Sequence, residues 1–72
     1  DTIISFYVNK PETITMKIFD MQGREVKTLT NKRFDVGYHQ VKFNGSDLAS
    51  GLYFCQLITK NFVDSRKIIL LK

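Results

Sequence analysis

The fold is decided by residues 47–57, which read Asp47-Leu48-Ala49-Ser50-Gly51-Leu52-Tyr53-Phe54-Cys55-Gln56-Leu57. Gly51 ends a polar turn, and because it has no Cβ it can adopt a backbone conformation closed to other residues. Tyr53, Cys55 and Leu57 then share one side of an extended chain, which is the period of a strand with one buried face. A tyrosine placed just after a corner and two residues before a cysteine is typical of a tyrosine corner, whose hydroxyl bonds to the upstream backbone. The stretch therefore predicts a central strand pinned near residues 44–50; the alternative is an ordinary buried strand without a corner.

Other segments of the chain repeat this alternation of apolar and polar residues. Turn signals separate the segments at intervals of about eight to twelve residues, which is typical of an all-β sandwich. No segment repeats apolar residues at the three- and four-residue spacing of a helix. The residues that we predict to share one face of a strand are Ile4, Phe6 and Val8 in the first strand, Ile14, Met16 and Ile18 in the second, and His39, Val41 and Phe43 in the fourth.

The third strand, predicted over residues 24–30, breaks the alternation. Its apolar residues Val26 and Leu29 fall on opposite faces, which predicts a bulge or an early end. We assign residues 31–37 to a polar loop in which Phe34 plugs one end of the core.

The last strand, predicted over residues 62–71, ends in an apolar run, Ile68-Ile69-Leu70-Leu71. Such a run means either that both faces are covered there or that one face meets a partner. Its register stays open, because a two-residue and a three-residue hairpin loop would turn opposite sets of residues inward.

The turns carry specific signals. Asp20-Met21-Gln22-Gly23 predicts a hairpin connection with Gly23 at positive φ. Residues 46–49 could form one helical turn capped by Ser46. Taken with the strands, these turns predict an all-β fold: a small immunoglobulin-like antiparallel β-sandwich of six or seven strands.

Composition and charge narrow the classes of function. The formal net charge is +4, but the 11 basic residues are scattered and no recognition motif accompanies them, so we expect no nucleic-acid binding. No apolar run approaches the roughly 18 residues of a membrane span, so we expect no direct membrane insertion. The single cysteine, Cys55, sits among apolar residues and is predicted to be a small buried hydrophobe.

The inventory of reactive side chains is also small. The single histidine, His39, has no serine or cysteine at a spacing that suggests a nucleophile. The acidic residues stand singly, and Asp20 and Asp47 are expected to bond to the backbone of turns rather than to a metal. We therefore predict no catalytic, cofactor-binding or metal-binding residues, no cofactor and no enzyme activity.

Four stretches together carry a family resemblance, namely Thr2-Ile3-Ile4-Ser5-Phe6, Lys17-Ile18-Phe19-Asp20-Met21-Gln22-Gly23-Arg24-Glu25-Val26, Asp47-Leu48-Ala49-Ser50-Gly51-Leu52-Tyr53-Phe54 and Lys67-Ile68-Ile69-Leu70-Leu71-Lys72. In this order and spacing, the chain resembles, over essentially its whole length, the type A C-terminal sorting domain of the type IX secretion system of Bacteroidetes. The glycine-tyrosine signature of that family falls on Gly51 and Tyr53, and its turn glycines fall on Gly23 and Gly37. Its terminal basic and aliphatic segment falls on residues 67–72.

The resemblance implies a C-terminal signal domain that directs a secreted cargo protein across the outer membrane through the type IX translocon. The cargo would pass through the periplasm and end at the outer membrane surface or outside the cell, with the domain cleaved by a sortase-like peptidase. Residues 1–72 would form one domain excised from a longer secreted protein. The expected translocon-recognition residues are Lys67, Ile68, Ile69, Leu70, Leu71 and Lys72. The alternative is an immunoglobulin-like structural or binding spacer of an extracellular protein, because fold alone does not decide function.

Overall fold

The computed structural model describes residues 2–71, in which six strands and no helix are present. The strands are β1 (Thr2–Val8), β2 (Glu12–Phe19), β3 (Glu25–Phe34), β4 (Gly37–Phe43), β5 (Gly51–Ile58) and β6 (Val63–Leu70). All pairings are antiparallel, and the strands form a two-stranded sheet, β1–β4, and a four-stranded sheet in the order β3–β2–β5–β6. The predicted small β-sandwich is confirmed, and so is the central position of β5.

The core lies between the two sheets and has two parts. The larger cluster is built around Met16, Ile18, Phe43, Tyr53 and Cys55. The smaller cluster closes one end of the sandwich and consists of Val8, Ile14 and Phe34. Phe6, Val41 and Leu57 pack against both clusters. The faces that the sequence predicts for β1, β2 and β4 are therefore the ones that carry the core residues.

The third strand is longer than the sequence indicates. β3 continues to Phe34, so the prediction of a polar loop over residues 31–37 is wrong. Asn31 and Arg33 pair with outward residues of β2, and the hydroxyl of Thr15 donates to Asn31 Oδ1 at 3.1 Å. Polarity here marks a solvated edge strand and not a loop. Phe34 is buried as expected, and the predicted bulge is present as two register shifts between β2 and β3.

The hairpin between β2 and β3 is held by the carboxylate of Asp20. Its Oδ1 atom accepts hydrogen bonds from the backbone N–H groups of Gln22 at 2.9 Å and Arg24 at 3.0 Å. The bond from the Arg24 backbone is the main cause that lowers the pKa of Asp20 below its ordinary value. Gly23 completes the turn with a φ of 84°.

The loop between β4 and β5 contains a β-turn and not the helical turn suggested by the sequence. Leu48 N donates to Gly45 O at 3.0 Å, which closes a single turn, and the chain then extends toward β5. The side chain of Asn44 supports this turn, because Asn44 Oδ1 accepts a hydrogen bond from Ser46 N at 3.0 Å.

The last hairpin has the register of the two-residue alternative. Ile58 pairs with Val63, and Thr59 N donates to Phe62 O at 2.9 Å, so Lys60 and Asn61 form the tip. The hydroxyl of Thr59 also accepts the N–H of Phe62 at 3.2 Å. This register directs alternate residues of β6 toward the core.

The C-terminal strand as a candidate recognition site

The start of β5 is pinned by the predicted tyrosine corner. The hydroxyl of Tyr53 donates to Ala49 O at 2.7 Å, and the residue is only 8% exposed. Gly51, between them, has a φ of 152°, a region that L side chains rarely adopt. The corner therefore fixes where β5 begins and, through the β5–β6 pairing, where β6 ends.

A second set of contacts ties the β4–β5 loop to neighbouring strands. From β3, Lys27 Nζ donates to Asn44 O at 2.8 Å and to Asp47 Oδ1 at 3.1 Å. From β6, Leu70 lies so close to the backbone of Gly45 that an added Cβ would be 2.9 Å from its Cδ1 atom. The C-terminal end of β6 is therefore anchored to the loop that carries the tyrosine corner.

Alternate residues of the apolar run point to opposite sides of β6. Ile68 and Leu70 are partly buried and pack against the larger core cluster. Ile69 is 68% exposed and Leu71 is 83% exposed. The run is thus covered on its inner side and open on its outer side within residues 2–71. Lys72, which belongs to the expected recognition segment, lies outside the described residues.

The outer side of β6 continues onto β5 and β2. Phe54 lies directly opposite Lys67, and Leu52 lies directly opposite Ile69. Across the other edge of β5, Phe54 pairs with Phe19. The sequence analysis did not single out Phe19, Leu52 and Phe54 as neighbours of the last strand on this side of the sheet. The available signal was that Leu52 and Phe54 are as apolar as the buried residues with which they alternate.

The N-terminal half of β6 differs from the C-terminal half because its inward side carries charged residues. Asp64 and Arg66 lie on its inward side, opposite Leu57 and Cys55 of β5, and their charged atoms are 3.5 Å apart. They line a cleft of about 190 Å³ between β6 and β1. This volume is below the roughly 300–1,000 Å³ of typical small-molecule sites.

The remaining candidates for chemistry have structural partners. Burial raises the pKa of the Cys55 thiol, which disfavours the reactive thiolate. His39 Nε2 donates to Asp35 O at 2.7 Å, and its ring packs against those of Phe6 and Phe34. Within residues 2–71, no group of three or more histidine, cysteine or acidic residues is placed to hold a metal ion. The same residues contain no helix long and apolar enough to cross a membrane.

The signature glycines all lie at positive φ: 84° at Gly23, 132° at Gly37 and 152° at Gly51. The structure is a small sandwich with glycine turns at positive φ, a tyrosine corner and an edge strand that exposes apolar residues. These features define an all-β module suited to contacts with other proteins.

The chain belongs to the secretion system C-terminal sorting domain family, whose family model matches residues 2–71. It is therefore a type IX sorting domain, which implies interaction with the type IX system and export across the outer membrane. Searches of curated proteins and of solved structures found no match to the chain.

Proposed function

We propose that this chain is a non-catalytic signal domain whose terminal segment, residues 67–72, is recognised by the type IX translocon. The cargo passes through the periplasm, crosses the outer membrane and is separated from the domain by a sortase-like peptidase. Residues 1–72 act as one domain of a longer secreted protein. The family match supports the role of the chain as a sorting domain. Recognition of residues 67–72 requires a separate test.

The observation that carries this proposal is the split of the apolar run at the end of β6. Ile68 and Leu70 complete the core, whereas Ile69 and Leu71 are exposed and add nothing to it. Exposed apolar side chains cost solubility, so a cluster of them marks an interaction site. β6 is also an edge strand, and Lys67 adds a positive charge beside Ile69.

The test uses the chain fused to a periplasmic reporter in a host that carries the type IX system. The fusion is compared with a variant that lacks residues 71–72, which leaves Leu70 in place over Gly45. We expect the intact fusion at the cell surface or in the medium and the truncated fusion in the periplasm. Val63→Thr is the matched control, because Val63 is an exposed apolar residue at the other end of β6. Thermal melting of each purified domain verifies that it is folded.

The second candidate function is an immunoglobulin-like spacer, which the sandwich architecture alone would also suit. An intact fusion that stays in the periplasm of a competent host would reject the sorting proposal and leave the spacer. Equal export of the intact and truncated fusions would reject the terminal segment as the recognised part.

A further inference from the structure

We infer that the machinery docks on a face of the sandwich formed by three strands, the outer patch, and not on the terminal segment alone. The partner surface would be apolar at its centre and carry a carboxylate opposite Lys67. This inference rests on the proposed function, because it specifies the contact by which the sorting domain is read. The outer patch consists of Phe19, Leu52, Phe54, Lys67 and Ile69.

The outer patch is continuous because its members are cross-strand neighbours. Phe19 pairs with Phe54, Phe54 with Lys67, and Leu52 with Ile69. Directly opposed residues of an antiparallel pair have Cβ atoms about 4.5–5.5 Å apart, so these side chains form one surface. Leu52 and Phe54 also lie two residues apart on the same side of β5.

The rest of the same face is mostly polar. The outward residues of β2 before Phe19 are Thr13, Thr15 and Lys17, and their partners on β3 are Arg33, Asn31 and Thr28. On β5 and β6, the polar pair Gln56 and Ser65 separates the outer patch from a smaller apolar pair, Ile58 and Val63. The outer patch is therefore the larger apolar area on this face, and a cluster of this kind marks a contact surface.

The charge of the outer patch identifies the chemistry of the partner. Four basic residues, Lys17, Arg24, Lys27 and Arg66, each lie within 3.5 Å of a carboxylate of the chain. Lys67 has no such partner among residues 2–71, as is also true of Lys10, Arg33 and Lys60. Lys67 differs from these three in lying directly opposite an outward-facing aromatic residue, Phe54. A carboxylate on the partner would complete this site and orient the apolar contact.

The alternative mode, addition of a strand to the free edge of β6, fits the structure less well. A strand added there would extend the sheet, and its inward side chains would lie beside Asp64 and Arg66. The new strand would have to desolvate both of these charged residues along that half of β6. Inward charges on an edge strand are a recognised device against such pairing.

The principal experiment changes the outer patch without changing the core. In the reporter fusion, Phe54→Thr is combined with Ile69→Thr, because threonine preserves strand propensity while removing the apolar surface. Gln56→Thr with Ser65→Thr is the matched control, since both residues face outward on the same two strands. We expect the ratio of exported to periplasmic reporter to fall about tenfold in the patch variant, which corresponds to about 1.4 kcal/mol of binding. The control should match the parent.

A charge reversal at one position gives a test that does not require the domain to stay folded with two substitutions. Lys67→Glu is compared with Lys60→Glu, which alters the net charge equally at the exposed hairpin tip on the opposite end of the sheet. Lys67 is exposed, so the reversal should leave the melting temperature within a few degrees of the parent. We expect export to fall with Lys67→Glu and to be unchanged with Lys60→Glu.

The outcomes separate this inference from the proposed function. If the parent fusion is not exported, the sorting proposal fails. If the parent is exported and both the patch variant and Lys67→Glu are exported equally well, the sorting proposal stands and the outer patch is wrong. If the purified parent sediments as a dimer and the patch variant as a monomer, the occupant of the patch is a second copy of the chain, which also overturns the inference.

Discussion

Leu70 covers the backbone of Gly45 so closely that a Cβ added at Gly45 would lie 2.9 Å from both Cδ atoms of Leu70. Gly45 is buried, and it is not one of the glycines with positive φ. A side chain at this position would therefore require the methyl groups of Leu70 to move, whereas the backbone conformation itself does not call for glycine. The contact joins the β4–β5 loop to the last strand.

This contact predicts a coupling that a double-mutant cycle measures. Gly45→Ala should destabilise the domain because Leu70 must move away from its place. In a Leu70→Ala background, the same change should be neutral or slightly stabilising, since alanine restricts the unfolded chain more than glycine does. We expect a coupling free energy of about 0.5–3 kcal/mol from urea unfolding of the four variants. Additive effects would show that the two residues do not constrain each other.

The tyrosine corner predicts a graded loss of stability. Tyr53→Phe removes the bond to Ala49 O but keeps the ring, and should cost about 1 kcal/mol. Tyr53→Ala also empties a buried site and should cost about 3–5 kcal/mol, a large share of the stability of so small a domain. Tyr38→Phe is the control, because Tyr38 is 84% exposed. Denaturant unfolding tests all three, and a Tyr53→Ala variant as stable as the parent would contradict the corner.

The hydrogen bonds of the Asp20 carboxylate predict that the stability of the domain depends on pH. Hydrogen bonding to the Arg24 backbone lowers the folded-state pKa of Asp20. The stabilisation is therefore complete above the unfolded pKa of about 4 and is lost as the pH falls through the lower folded pKa. The difference in melting temperature between the parent and Asp20→Asn should be largest above about pH 5 and shrink toward pH 2.

The control for this pH series is Glu12→Gln, at the other end of β2. Glu12 makes no ion pair among residues 2–71. Its variant should stay close to the parent at each pH. A melting difference for Asp20→Asn that is constant over the whole series would refute the role of the ionised carboxylate.

The buried thiol predicts slow labelling. Cys55 is 6% exposed, and burial raises its pKa, so a thiol reagent should reach it only after β5 opens. An opening free energy of about 3 kcal/mol would slow labelling at least about 100-fold relative to the urea-unfolded chain. A Ser65→Cys, Cys55→Ala variant, with its thiol on the exposed face of β6, provides the fast control. Equal rates at the two positions would show that β5 is not protected.

Much of the fold is predictable because a strand with one buried face alternates apolar and polar residues in the sequence. Ile14, Met16 and Ile18 show it without interruption, and the tyrosine corner follows from local spacing alone. The end of β3 is not predictable in this way, since residues 31–33 face solvent and an exposed edge strand has the composition of a loop. The hairpin register at Lys60-Asn61 is set by hydrogen bonds of Thr59, which do not show in the spacing of apolar residues.

The candidate site was predictable in part for a related reason. The apolar run at residues 68–71 exceeds what one face of a strand needs, so the sequence predicts a contact there. The contribution of Phe19 does not, because it depends on β2 pairing with β5 at Phe54 across a separation of 35 positions. Only the sheet order shows that residues this far apart form one surface.

The inward placement of Asp64 and Arg66 also affects how readily copies of the chain associate with one another. Edge strands invite identical chains to stack side by side, and this hazard grows with protein concentration. Any chain that added itself along β6 would have to desolvate both charges. The domain can therefore expose apolar side chains at one end of this strand and still resist polymerising through the strand's free edge.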